Sequence, residues 1–259
     1  MANGSNSPAG GAVAGGALRF AGRHPDAAAA ADAGPATFTD PDPENLWLMI
    51  QPKTGESIAD VGPNGYTVTD NTTGMTTTDA IAVGYESIEF DGSNDYLVVT
   101  GHPTGGDVIW DADWTVQITW VCDNTTQAPC YWNHQNSTSP SPGNYMSVVH
   151  SVNMTRLDVQ PGHTDYGLVM PVGKLVNLTI TYTASGTLIE WWLNGISQGA
   201  VSWGANVVTS VDNDTMHIGT VRAPGSAHLN GRIAEFIVHT SKLDGAVVGR
   251  RNLPWARPA

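Results

Sequence analysis

The sequence predicts an all-β chain folded as a two-sheet antiparallel sandwich, and three observations make that prediction. Val, Ile, Thr and Trp, residues that suit a pleated and half-buried surface, gather after about residue 45. Turn formers are abundant, with 29 Gly and 16 Pro, and they punctuate the chain at short intervals. Charged residues make up 14% of the chain, fewer than long solvated helices require.

Residues 1–40 form an extended N-terminal arm by composition. Met1–Gly22 is largely Gly, Ala, Ser and Asn, and Ala27–Ala31 is pure alanine. Such a stretch buries too little apolar surface to offset its own ordering entropy, so it needs an external partner to become ordered. The sandwich is expected over residues 41–259. Asn45–Gln51 (NLWLMIQ) is an apolar run, and Tyr66–Thr69 alternates after the turn at Pro63-Asn64-Gly65. Ser87–Phe90 and Tyr96–Thr100 flank the turn Asp91-Gly92-Ser93-Asn94. Trp114–Val121, Tyr145–His150, Leu175–Thr183, Thr187–Leu193, Thr215–Gly219 and Arg232–His239 complete a set of about ten strands. Lys242–Arg251 is the one stretch expected to form a helical turn or two, and Cys122–Tyr145 reads as a long loop.

Four of these segments carry a resemblance to a known family. Ser87–Val99 (SIEFDGSNDYLVV) resembles the strand-turn-strand of laminin-G-like, concanavalin A-like jelly rolls. Leu175–Gly199 (LVNLTITYTASGTLIEWWLNGISQG) resembles that family's hairpin, and Met216-His217-Ile218-Gly219 its short strand. Leu229–Phe236 (LNGRIAEF) resembles the opening of its closing strand, although Ala234 stands before Glu235 where the family often has Asp. The matches fall in the family's order, from roughly Asn45 to Gly249. The resemblance implies a jelly-roll sandwich. The residues carry their own reading as well: Asp91-Gly92 and Asn194-Gly195 are turn pairs that accept the positive φ of tight hairpins.

A formal net charge of -13 argues against nucleic acid, whose phosphates are held by Lys and Arg, and against anionic membrane surfaces. No apolar stretch is long enough to span a bilayer, so no membrane insertion is expected. The N-terminus lacks the charged start and apolar core of a secretory signal, from which a product made in the cytoplasm is expected. Cys122 and Cys130 bracket CDNTTQAPC; their spacing admits a disulfide, a reducing compartment would keep two thiols, and the sequence leaves both open.

The family's fold also hosts glucan hydrolases, which need two carboxyl groups about 5 Å apart. Glu89 and Asp91 begin the required spacing, but Ser93 and Asn94 stand where the second Glu should be, so no catalytic residue is assigned. Calcium takes several oxygen ligands. Asp91, Asn94 and Asp95 form one candidate cluster, and Asp212-Asn213-Asp214 another, though both also read as ordinary turns. For carbohydrate, whose ring faces stack on aromatic side chains, the candidates are Tyr131, Trp132, His134 and Tyr145 in the long loop, with Trp192. Trp191 and Trp192 point to opposite faces of a strand, which assigns one to the core and leaves the other free. The eight histidines show no metal-site spacing, and most are expected at the surface or in turns.

Taken together, these features predict a non-enzymatic bacteriophage structural protein exposed on the virion surface. In this reading it is a capsid decoration, head spike or tail fibre, tethered by its arm to other virion proteins and present in many copies or as a homo-oligomer. The sandwich would then hold a host-surface glycan. A lectin-like adhesin domain of a cellular protein is the alternative, and a glucan hydrolase the third.

Overall fold

The computed structural model describes residues 40, 42–53, 56–71, 77–82, 85–101, 112–123, 130–135, 145–151, 154–159, 162–166, 171–202, 216–222, 226–245 and 247–248. All of them belong to the compact unit Thr37–Pro258, and Met1–Ala36 falls in a separate unit. The arm proposed for residues 1–40 therefore lies outside the described residues, except for Asp40.

A 3-10 turn at Pro43–Asn45 leads into β1 (Leu46–Ile50), followed by β2 (Thr67–Asp70), β3 (Thr77–Ala82), β4 (Tyr85–Asp91) and β5 (Leu97–Thr100). Next come β6 (Trp114–Cys122), β7 (Cys130–Gln135), β8 (Tyr145–Ser151), β9 (Met154–Val159) and β10 (Gly162–Tyr166). The chain continues through β11 (Leu175–Thr183), β12 (Leu188–Leu193), β13 (Ile196–Ser202) and β14 (Met216–Ile218). It closes with β15 (Thr220–Arg222), β16 (Ser226–His228) and β17 (Asn230–His239). An eight-stranded sheet runs β13-β12-β11-β6-β17-β4-β3, with β1 added along β17. A seven-stranded sheet runs β10-β9-β8-β7-β14-β5-β2, and β15 pairs with β16 apart from both. Every pairing is antiparallel. The all-β antiparallel sandwich is thus present.

Strand alternation builds the core. Trp114, Val116, Ile118 and Trp120 of β6 stand opposite Tyr182, Ile180, Leu178 and Val176 of β11, and all eight are buried. They meet Phe90, Leu97, Val99, Met216 and Ile218 from both sheets in one cluster. Fully burying a side chain such as Ile, Leu or Phe contributes about 1.5–3 kcal/mol, so this seam dominates stability.

The opposite face of the eight-stranded sheet forms three polar rows. His239, Thr115, Thr181 and Glu190 make one, and Ile237, Gln117, Thr179 and Trp192 the next. The third is Glu235, Thr119 and Asn177. Asn177 Nδ2 donates to Thr119 Oγ1 at 2.8 Å, and Gln51 Nε2 donates to Glu235 Oε1 at 2.7 Å. The segment after β17 crosses the first row: Thr115 Oγ1 donates to the Ser241 carbonyl and accepts from Leu243 N. A helical turn then begins at Asp244, whose carbonyl accepts from Val247 N and Val248 N, as expected for this stretch.

Several expectations need correction. The structure has seventeen described strands rather than about ten. The stretch Cys122–Tyr145 is not one long loop, because β7 occupies Cys130–Gln135 and pairs with both β8 and β14. Cys122 ends a strand of one sheet and Cys130 opens a strand of the other. Both hairpin turns hold as expected, with φ of +79° at Gly92, +50° at Asn194 and +78° at Gly195.

At the sheet margin, β13 carries a register shift opposite Trp191 and Trp192, and Gly199 sits at φ +105°. Gln198 Nε2 donates to the Ile196 carbonyl at 3.0 Å, while Gly199 N donates to Ser197 Oγ.

Gly219 sits at φ +91°, where an added Cβ would lie 2.5 Å from Phe90 Cε1 in the closed core. Gly219→Ala is expected to cost about 2–4 kcal/mol, combining left-handed strain with overpacking. Urea denaturation measures this; a loss below about 1 kcal/mol would show that the Phe90 ring can move aside.

Candidate functional site

The seven-stranded sheet positions four of the five carbohydrate candidates. Tyr131, Trp132 and His134 lie on β7, and Tyr145 opens β8 opposite Gln135. Register separates them by face, because residues directly opposite each other in an antiparallel ladder share a face. Trp132 pairs with Ile218 and His134 with Met216, both core residues. Asn133 pairs instead with His217 and Ser147. Gln135 pairs with Tyr145 at the end of the same ladder. Tyr131 lies at a register shift between Cys130 and Trp132.

Trp192 is not part of this group. It belongs to the other sheet, on the face away from the core, and it is half-buried. A Cβ added at Gly245 would meet its Cη2 at 2.6 Å, so the chain after β17 lies against the indole ring. Its Nε1 is buried without a hydrogen-bond partner. The expectation that one Trp of the pair is core is met by Trp191, but Trp192 is covered rather than presented.

The acidic turn is organised around its own amides. Asp91 Oδ1 accepts from Ser93 N at 2.7 Å and Asn94 N at 3.2 Å, and Asp95 Oδ2 accepts from Asp91 N at 2.8 Å. The Ser93 amide is the largest reason the Asp91 carboxyl is held below its usual range. Burial works against this shift, while the Asn94 and Asp95 amides and the nearby His228 add to it. A calcium ion would need six to eight oxygens here, and these carboxylates are already engaged as turn caps. Among the described residues no group of three or more His, Cys, Asp or Glu is placed to hold a metal. Asp212-Asn213-Asp214 lies outside the described residues. Glu89 is exposed on β4.

Three histidines are not at the surface: His217, His228 and His239 are buried. His239 Nε2 lies 3.0 Å from Asp40 Oδ1, tying the start of the described chain to the end of β17. Next to it Ser241 Oγ donates to Asp42 Oδ2. His217 and His228 flank Tyr96, with ring centroids 5.7 Å and 6.2 Å away. Sequence reasoning did not single out this group. The alternation Met216-His217-Ile218 places His217 on the face opposite the core, but no local pattern reveals that Tyr96 packs against it there.

No protein-family profile matches the chain, and no curated protein matches it. Its fold is shared by solved receptor-binding domains. The binding domain of botulinum neurotoxin DC in complex with rat synaptotagmin II superposes with a TM-score of 0.62 at 12% identity, covering 80% of this chain and 51% of that one. The same toxin's binding domain in complex with SialylT gives 0.61 at 12% identity, covering 80% and 50%. A botulinum neurotoxin type C structure, described as dependent on two ganglioside molecules for cell entry, gives 0.61 at 11%, again covering 80% and 50%. The chain thus spans about half the length of these proteins. At such identity the likeness establishes the β-sandwich fold.

Burial pushes the His217 imidazole down from 6.5 to about 4. The unfolded chain therefore binds a proton at His217 that the folded chain refuses between those values. Its contribution is intact above about pH 6.5, falls as pH drops toward 4, and levels off below. His217→Gln should remove on the order of 2–3 kcal/mol of that acid-side loss, read by urea unfolding at pH 7, 5.5 and 4.5. Parallel pH dependences in wild type and variant would remove His217 from the account.

Proposed function

We propose that the chain is a non-enzymatic recognition module of the laminin-G-like, concanavalin A-like kind, adhering to a glycan or receptor on a surface. The observation that carries this reading is the register of β7 and β8. It pairs Tyr145 with Gln135 and Ser147 with Asn133 on neighbouring strands of one sheet. These residue types, an aromatic with two amides and a hydroxyl, have the chemistry that suits a pyranose, one apolar face edged by hydroxyls. Support comes also from the shared fold, since the similar structures are toxin binding domains rather than catalytic ones. Hydrolysis is disfavoured because the Asp91 carboxylate is committed to its own turn.

We further propose that the module works as a bacteriophage structural protein, made in the host cytoplasm and shown on the virion surface. Residues 1–39 would be its tether to other virion proteins. Support for the tether is compositional, since the Gly/Ala-rich stretch needs a partner to be ordered.

Two experiments test these readings. Tyr145→Ala should weaken binding to a responding glycan, found by screening sialylated and bacterial polysaccharides, by roughly thirtyfold with little change in melting temperature. Full affinity in a stable variant would move the site off β8. Deleting residues 1–39 should leave a folded sandwich but abolish incorporation into particles, measured by mass spectrometry of purified virions. Incorporation at full occupancy would discard the tether.

A further inference from the structure

Three rings meet where the short β15–β16 sheet joins the body of the sandwich. His217 and His228 lie against Tyr96, with ring centroids 5.7 Å and 6.2 Å from it, and all three residues are at most 7% exposed. His217 Nδ1 and His228 Nδ1 are buried without a hydrogen-bond partner, and so is Oγ1 of Thr220, which stands opposite His228 in the β15–β16 ladder. Two of the rings are fixed on the body side. His217 sits in β14, which pairs with β5 on one side and β7 on the other. The Tyr96 carbonyl accepts from Asn71 N at 3.2 Å, and the adjacent Asp95 carboxylate accepts from Asp91 N. His228 is placed differently. It ends β16, which has β15 as its ladder partner and lies apart from both large sheets. A two-stranded hairpin is marginal by itself in water, so this one depends on what it packs against. Its base is closed by Leu229 N donating to the Gly219 carbonyl at 2.7 Å, and β15 lies beside β7.

We propose that His217 is an acid-opened latch: neutral, it packs with His228 around Tyr96 and holds the β15–β16 hairpin shut; protonated, it forces the hairpin open. The cause is hydration. An imidazolium donates from both ring nitrogens, and on the Nδ1 side of His217 nothing accepts. Attraction to the Tyr96 ring offsets only part of the lost hydration. The charge is relieved when a neighbour moves and admits water. β5 is held in ladders by β2 and β14, and β7 by β8 and β14, so the hairpin is the neighbour that yields at least cost. The charged and titratable residues on the elements around His217 are Asp91 and Asp95 in the turn before β5, Tyr96 itself, Arg222 and His228 on the hairpin, and His134 on β7. His228 acts on the Asp91 carboxylate, which can receive its charge, whereas burial is what acts on His217. The trigger is therefore His217. The closed imidazole resists protonation until about pH 4, while the opened one titrates as an ordinary histidine near 6.5. Opening thus grows easier as pH falls below 6.5 and levels off near 4. The latch goes beyond the glycan reading and does not depend on it.

Amide hydrogen exchange of the full chain tests the latch with no ligand present, read by peptide mass spectrometry and corrected for the intrinsic rate at each pH. Protection over residues 220–228 should fall at least about tenfold from pH 7 to pH 5, while β6 and β11 keep theirs. In His217→Gln the hairpin should stay protected across that range. Level protection in the wild type would overturn the proposal. So would equal losses in the hairpin and the central strands, which assign the acid response to global unfolding. A loss that persists in His217→Gln but vanishes in His228→Gln overturns it too, by moving the trigger to the other ring. If His217→Gln is already open at pH 7, NMR titration of the wild-type histidines decides instead. The His217 ring signal should then change in step with hairpin opening, and a ring that titrates while the hairpin stays protected sinks the latch.

Discussion

The pairing of β6 with β11 is the constraint on which the rest of the molecule depends. Seven consecutive ladder positions alternate: the Trp114–Tyr182, Val116–Ile180, Ile118–Leu178 and Trp120–Val176 pairs face inward, and the Thr, Gln and Asn pairs between them face outward. A slip of one residue would exchange these faces, placing two tryptophans among hydroxyls and amides among hydrocarbon. Because β17 lies on the other side of β6 with its own alternation, the penalty is repeated across three central strands. The β17 strand meets it with one register shift, between Ile233 and Glu235, which keeps Glu235 on the polar face and Phe236 in the core. Ala234, which departs from the resembled family's pattern, is the residue that absorbs that shift.

This arrangement divides labour between the two sheets. The eight-stranded sheet carries the core on one side and buried polar rows on the other. The seven-stranded sheet carries β7 and β8, where the proposed contact residues pair in register. Rigid backing is useful to such residues. A binding side chain held on a strand loses little further freedom on contact, so more of its interaction energy appears as affinity.

Legibility in the sequence followed locality. β1, β4, β6, β11, β12 and β17 were readable because their apolar residues recur in runs or alternate cleanly, and because Asn194-Gly195 declares its turn outright. β9 (MTRLDV), β10 (GHTDY) and β13 (ISQGAVS) were not, since charge, Gly and small residues break the period at or next to the sheet edges. β7 was lost inside an apparent loop because CYWNHQ carries polar residues at the outer positions and amphipathic ones at the others. At the candidate site the residue types were legible but not their grouping. Trp192 lies on the other sheet from the rest of the group, and the burial of His217 and His228 depends on contacts that no local pattern records. The acidic turn at Asp91 was read both as a cation cluster and as a turn. Hydrogen-bond geometry favours the turn.

The irregular margin at β13 bears on how many copies can share a small volume. A straight terminal strand presents a continuous row of donors and acceptors, and identical neighbours held close together zip along it into ribbons. Here the ladder is broken at Trp191–Trp192, and Gly199 turns the backbone through a conformation that a regular strand does not use. The Ile196 carbonyl and Gly199 amide are taken up by side chains of the strand itself. Crowded copies consequently find no clean template along this border, although Ile196 is 67% exposed there. The border thus works against edge-to-edge pairing with any strand brought alongside it.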